Sequence, residues 1–235
     1  MQNPIIAALD VPSPNQAHTL IDQIGSQIGA FKVGMELFTA AGPEIIHRIR
    51  EQDAAVFLDL KFHDIPNTVA KAVASAVRLD VQMLTIHTHG GSTMMKAAEN
   101  AAQETARELG TAAPLVLGVS VLTSMDQSDL QEIGLSNPVA DQVERVVQLG
   151  VESGLRGFVC SPLEIERLRK IIPKETKLVT PGIRMASDAK GDQKRTKSPI
   201  EALQSGADYL VIGRPIYAAP NPSDALKRIL ESIEA

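Results

Sequence analysis

The chain has 235 residues, 44% hydrophobic, 22% charged and 3% aromatic, and its 23 lysines and arginines against 28 aspartates and glutamates leave a net charge of −5. A chain this long can bury about 70–75% of its unfolded surface around one large core, and it is close to the roughly 250 residues of a (β/α)8 barrel. The acidic balance excludes an electrostatic case for binding nucleic acid or an anionic membrane surface, and the single cysteine, Cys160, excludes an internal disulfide and fits a reducing compartment.

The first apolar run, residues 5–11, is too short for a secretory core and follows Met1-Gln2-Asn3-Pro4, which has no basic residue. It reads as a strand. No apolar stretch approaches the ~20 residues of a membrane helix, so the expectation is a cytoplasmic protein. Further apolar runs suited to buried parallel strands follow at 30–37, 55–60, 83–87, 115–122, 157–160, 177–180 and 209–212. Between them lie segments of helical period. In 66–78, Val69, Val73, Ala76 and Val77 recur at three- and four-residue spacing. Segments 92–109, 138–153, 161–171, 198–204 and 223–233 behave alike, several opening on Ser or Pro, which suit helix starts. Eight alternating units without a composition break predict one parallel sheet in a single (β/α)8 TIM barrel spanning 1–235. An open doubly wound sheet is the alternative, and eight near-equal units favour closure. One long irregular stretch, 183–197, follows the seventh strand, on the face where barrels carry active sites.

Three clusters can carry chemistry. Asp59 and Lys61 are two apart at the end of the third strand, so alternation turns both the same way, and Asp64 lies just beyond. A carboxylate beside an ammonium can move a proton, although the spacing alone fits a plain salt bridge equally well. Asp10 and Lys32 are charges at or inside apolar strands, where charges are rarely buried unpaired. Asp10, Lys32, Asp59 and Lys61 can therefore pair in a ring at one end of the barrel. Third, strand seven runs into Pro181-Gly182-Ile183-Arg184 and strand eight into Gly213-Arg214, where glycine admits an anion to the backbone and arginine offers a fork of donors. His87 and His89 can be read as a metal pair, with Asp59 or His63 completing the set, but Lys32 and Lys61 would place positive charge beside the cation. The favoured reading has no metal, one His packing at the barrel end and the other facing out. Cys160, in an apolar strand, reads as a small hydrophobe and not a nucleophile.

Taken together, these residues resemble the orotidine 5′-phosphate decarboxylase family in its bacterial form. The run Asp59-Leu60-Lys61-Phe62-His63-Asp64-Ile65-Pro66-Asn67-Thr68-Val69 matches the family signature, supported by Ala8-Leu9-Asp10, Phe31-Lys32-Val33-Gly34, Leu122-Thr123-Ser124-Met125, Thr180-Pro181-Gly182-Ile183-Arg184, Gly191-Asp192-Gln193 and Ile212-Gly213-Arg214-Pro215. The resemblance covers essentially the whole chain. It implies conversion of orotidine 5′-phosphate to uridine 5′-phosphate and CO2 without a cofactor. Lys61 would give a proton to C6, and Asp59 would lie beside the departing carboxylate. Lys32, Asp59, Lys61 and Asp64 would form one charged network, with Asp64, Ile65 and Thr68 supplied by the second subunit of a homodimer. Asp10 and Lys32 would hold the ribose, and Thr123 and Ser124 would lie at the pyrimidine. Gln193, Gly213 and Arg214 would grip the phosphate, with Pro181 and Arg184 nearby and the 183–197 loop closing over the ligand. Sugar-phosphate lyases that share D-x-K-x-x-D and look metal-dependent are the nearest alternative, and the His63–Thr68 continuation favours the pyrimidine enzyme. A metal hydrolase built on His87 and His89, and a phosphate-binding barrel without turnover, are the readings from other classes.

Overall fold

The computed structural model describes residues 3–184 and 196–234. In chain order the described residues form β1 (Ile5–Ala8), α1 (Pro14–Ile24), β2 (Ala30–Gly34), α2 (Met35–Ala41), α3 (Glu44–Arg50), β3 (Ala55–Phe62), α4 (Pro66–Arg78), β4 (Met83–His87), α5 (Gly91–Leu109), β5 (Leu115–Val119), α6 (Gln127–Glu132), α7 (Val139–Glu152), β6 (Gly157–Val159), α8 (Ile165–Leu168), β7 (Lys177–Thr180), α9 (Pro199–Gln204), β8 (Tyr209–Ile212), α10 (Arg214–Tyr217) and α11 (Pro222–Glu234). The eight strands pair in sequence order, all parallel, and β8 closes on β1 through Ile5↔Leu210, Ile6↔Val211 and Ala7↔Ile212. This is a (β/α)8 barrel, as the alternation of elements predicts.

Closure sorts the apolar residues into two bodies. Ile6, Ala8, Ala30, Phe57, Met83, Leu117, Val179 and Val211 fill the barrel interior. Their strand neighbours, among them Ile5, Phe31, Val56, Leu84, Val116 and Phe158, face outward and pack under the helices. Strands buried on both faces must be apolar throughout, which is why they read as unbroken runs. The helices contribute one stripe each: α4 buries Val69, Val73, Ala76 and Val77, the residues its period singles out.

Local chemistry sets several ends. Ser13 accepts a hydrogen bond from the Gln16 amide ahead of Pro14, and Ser198 and Glu201 form a reciprocal capping box around Pro199. Some predicted bounds need correction. The second strand stops at Gly34, since Met35 begins α2; the first ends at Ala8 and the fifth at Val119, short of their apolar runs. The third runs on to Phe62. The predicted 161–171 helix is a single regular turn, Ile165–Leu168, within a series of turns.

The N-terminal ends of the strands are tied by charge. Asp208, one residue before β8, accepts from the Arg169 guanidinium, from Lys177 Nζ at 2.8 Å and from the Leu178 amide at 2.8 Å. Asp208 holds the Lys177 ammonium above its ordinary value.

Candidate active site

At the other end of the barrel four charges stand in a row. Lys32 Nζ donates to Asp10 Oδ1 at 2.8 Å and lies 3.8 Å from Asp59 Oδ2, the same oxygen that accepts from Lys61 Nζ at 2.9 Å. The order is anion, cation, anion, cation, contributed by the segment just after β1, by β2 and by the end of β3. Lys32 is 8% exposed. A buried ammonium needs paired oxygens, and this one has two carboxylates. Gly34, which pairs in register with Asp59, keeps the space open: a Cβ there would lie 3.1 Å from Lys32 Nζ and 3.6 Å from Asp10 Oδ1.

Lys61 reaches Asp59 by a route that strand alternation does not describe. Its φ is +52°, in the left-handed region. The β3–β4 register jumps here, from Leu58↔Leu84 to Phe62↔Ile86, so four residues of β3 run past two of β4. This bulge carries Asp59, Leu60 and Lys61. Thr85 of β4, fully buried, sits beneath it. The Lys61 amide donates to Thr85 Oγ1 at 2.8 Å, and that hydroxyl donates to Asp59 Oδ1 at 3.0 Å.

The row forms one wall of two adjoining cavities. The first, of 170 Å³, is bounded by Lys32, Asp59, Lys61, Thr123 and Pro181 and by an apolar side including Val119, Val121, Val159 and Val211. The second, of 390 Å³, shares Lys32, Pro181 and Val211 with it and adds Asp10, Glu36, Gly182, Arg184, Gly213, Arg214 and Tyr217. Gly182 turns the chain out of β7 at φ +78°, a conformation that favours glycine. One compartment thus offers an ammonium and a carboxylate beside apolar surface, suited to a flat ring with a reacting substituent. The other offers two guanidiniums, suited to an anion.

Most of the predicted site residues converge here: Asp10, Lys32, Asp59, Lys61, Thr123, Pro181, Arg184, Gly213 and Arg214. Asp64, Ile65 and Thr68 do not. They are exposed at the start of α4, Ile65 by 67%, and among the described residues no ion pair joins Asp64 to a lysine. Ser124 is exposed and is not among the residues bounding either cavity. Gln193 lies outside the described residues, as does most of the 183–197 stretch; its two ends meet in a bridge between Ile183 and Lys197. Thr85, Glu36 and Tyr217 were not anticipated. A threonine within Met83-Leu84-Thr85-Ile86 reads as ordinary strand filler, and no sequence signal separates it from one.

The histidine pair differs from its expected geometry. β4 ends at His87, and Thr88–Gly90 is a 3-10 turn, so His89 is not on the strand. The His63 and His87 rings stack at 5.4 Å between centroids and those of His87 and His89 lie at 6.3 Å. Among the described residues no group of three or more His, Cys, Asp or Glu converges to hold a metal ion. Burial, then His63, His89 and Lys61, push the His87 imidazole down from 6.5 to about 4, against an upward pull from Asp59. Burial, then His63, lowers His89 as well. Cys160 is buried against Thr180, and burial raises its thiol far above the ordinary range, so it packs as a small hydrophobe.

Known proteins share both the sequence and this architecture. The chain is 48% identical over 231 residues to orotidine 5′-phosphate decarboxylase of Moorella thermoacetica, covering 98% of this chain and 92% of that one. It is 49% identical over 230 residues to the enzyme of the same name from Psychromonas ingrahamii, covering 97% and 96%. Among solved structures, orotidine 5′-phosphate decarboxylase from Lactobacillus acidophilus superposes with a TM-score of 0.87 at 34% identity, covering both chains in full. An uncharacterized conserved protein from Geobacillus kaustophilus matches with the same TM-score at 33% identity, covering 98% of this chain and all of that one. The profile of the orotidine 5′-phosphate decarboxylase / HUMPS family matches residues 3–229, and with relatives this similar along nearly the whole barrel, the chain belongs to that family.

Proposed function

We propose that this protein is a carboxy-lyase that converts orotidine 5′-phosphate to uridine 5′-phosphate and CO2, the closing step of pyrimidine nucleotide synthesis, with no metal or organic cofactor. The observation that carries the reading is the row Asp10–Lys32–Asp59–Lys61, which lines a ring-sized cavity through Lys32, Asp59 and Lys61 and an adjoining guanidinium-lined one through Asp10 and Lys32, in a chain of this family.

The chemistry explains the layout. Breaking the C6–carboxylate bond leaves its electron pair on C6 in the ring plane, where the π system does not delocalise it. Charge already in place must stabilise that pair. Lys61 supplies an ammonium there and then its proton, forming the C6–H bond, and solvent returns a proton to the amine. Asp59 lies beside the departing carboxylate, and the apolar side of the cavity suits neutral CO2. Asp10 and Lys32 hold the ribose hydroxyls, and Thr123 and Ser124 lie at the pyrimidine edge. Gly213 and Arg214 bind the phosphate with Pro181 and Arg184 beside them, and Gln193 is assigned to the same group by the family resemblance. Phosphate binding far from C6 contributes energy to orienting the ring. The active unit in this reading is a cytoplasmic homodimer in which Asp64, Ile65 and Thr68 complete the partner's site. Their exposure outside their own cavity supports that assignment.

The test is the absorbance change of orotidine 5′-phosphate with wild type and Lys61→Ala. Wild type should consume it. The variant should lose at least about 100- to 10,000-fold in kcat, the range for removal of a proton-transfer group, yet still bind uridine 5′-phosphate. Near-normal turnover by Lys61→Ala would remove the assignment.

A further inference from the structure

We infer that Thr85 is a positioning residue for the decarboxylation, setting Asp59 and Lys61 at once through a single hydroxyl. The inference rests on the functional reading above and adds a residue to its machinery. Thr85 follows Met83 by two along β4, so it shares the barrel-interior face, yet it has no exposed surface and is not among the residues bounding either site cavity. It therefore acts only through its neighbours. Its hydroxyl has one proton to give and lone pairs to accept with, and both capacities are in use. The proton goes to Asp59 Oδ1 at 3.0 Å, and the Lys61 amide fills a lone pair at 2.8 Å.

Both bonds fall where the sheet fails to supply partners. Across the bulge β3 and β4 are out of step, and the Lys61 amide takes the Thr85 side chain as its acceptor in place of a strand carbonyl. That bond secures a lysine held at φ +52°. A side chain in the left-handed region persists only where its surroundings over-determine it. The bond to Asp59 Oδ1 fixes the carboxylate's rotation, leaving Oδ2 facing both ammoniums, 2.9 Å from Lys61 Nζ and 3.8 Å from Lys32 Nζ. Without the hydroxyl, one part-buried acceptor and one amide lose their partner together, and the carboxylate and the lysine backbone are each free to turn.

The experiment compares Thr85→Val, which keeps the shape and removes the hydroxyl, with Thr85→Ser, which keeps the hydroxyl and removes the methyl. With orotidine 5′-phosphate, kcat of Thr85→Val should fall on the order of 100-fold, the effect of misplacing reacting groups by about 1 Å. KM and the affinity for uridine 5′-phosphate should stay near wild type, because phosphate and ribose contacts are untouched. Thr85→Ser should recover most of kcat. A crystal structure of Thr85→Val should show Asp59 Oδ2 away from Lys61 Nζ or the Lys61 backbone out of the left-handed region. Should Thr85→Val not fold, Thr85→Ala removes the same hydroxyl without a second branch and is read the same way. Wild-type kcat in the hydroxyl-free variant, a loss that serine does not restore, or unchanged Asp59 and Lys61 geometry would each overturn the inference. If wild type itself leaves orotidine 5′-phosphate intact, the functional reading falls, and the crystal structure of the variant still decides whether Thr85 positions this pair.

Discussion

Lys61 carries its charge on a backbone that lysine seldom adopts, at a cost of about 1–3 kcal/mol. The return is an ammonium held between Asp59 and an apolar cavity instead of one directed along the strand. His87, the last residue of β4, is kept from adding a second cation beside it: its imidazole sits near 4 and is neutral at physiological pH. This has a consequence for stability. A group whose folded-state value lies below its unfolded value favours the fold in its neutral form, so the contribution is complete above pH 6.5 and is lost as pH falls toward 4. A shift of this size would correspond to roughly 3 kcal/mol in a dry site, and to about 1–2 kcal/mol once solvent reaching the partly exposed ring is allowed for. Thermal melts of wild type should lose stability between pH 6.5 and 4, and His87→Asn should lose less over the same window. Parallel curves would show that His87 is not the titrating group. Arg214 makes a separable claim. If it holds phosphate, Arg214→Ala should lower kcat/KM for the nucleotide by roughly 10- to 150-fold, the worth of a charge-assisted hydrogen bond. It should leave the slow reaction of the nucleoside orotidine nearly unchanged. Equal losses on both substrates would take Arg214 out of the phosphate site.

At the scale of elements, the β3 end and the start of α4 differ in what they face. Asp59 and Lys61 line a cavity of their own barrel, while Asp64, Ile65 and Thr68 are exposed and bound neither site cavity. If that segment completes a partner's site, Lys61→Ala and Asp64→Ala homodimers should each be nearly inactive. Mixing them should rebuild one intact site per heterodimer, with up to half of wild-type activity per dimer. No recovery under conditions shown to exchange subunits would place Asp64 within its own chain. This region also marks what could be read in the sequence. The pairing of Asp59 with Lys61 was legible from their spacing, but alternation along a regular strand is not how it arises: the bulge and the left-handed Lys61 bring them together. The bulge depends on which β4 residue lies opposite, and no local pattern encodes that, so Thr85 stayed invisible. Apolar runs located all eight strands, because each is buried on two faces. They overran at residues 35–37 and 120–122, where apolar residues continue past the last ladder pairing into helix or loop.

Across the whole molecule, the two ends of the barrel divide stability from chemistry. The end proposed for catalysis holds a row of charges with cavity on one side. The other end holds Asp208, whose carboxylate serves Arg169, Lys177 and the Leu178 amide and bounds neither of the two site cavities. Asp208→Ala should therefore cost about 2–4 kcal/mol by taking the acceptor from Lys177 and the Leu178 amide and one of several from Arg169, lowering Tm by roughly 5–10 °C for a chain of this size. It should leave kcat at 25 °C unchanged. An unchanged Tm would show that the network adds no stability, and a fall in kcat without a fall in Tm would show that the two ends are coupled. The central claim, that this barrel releases CO2 from C6 and returns a proton there with its own side chains, has one direct measurement. Orotidine 5′-phosphate is incubated with the protein in D2O containing excess chelator, and the product is followed by proton NMR. Substrate should disappear and uridine 5′-phosphate carrying deuterium at C6 should accumulate. Substrate that persists, or that is consumed only when a divalent metal is restored, would contradict it.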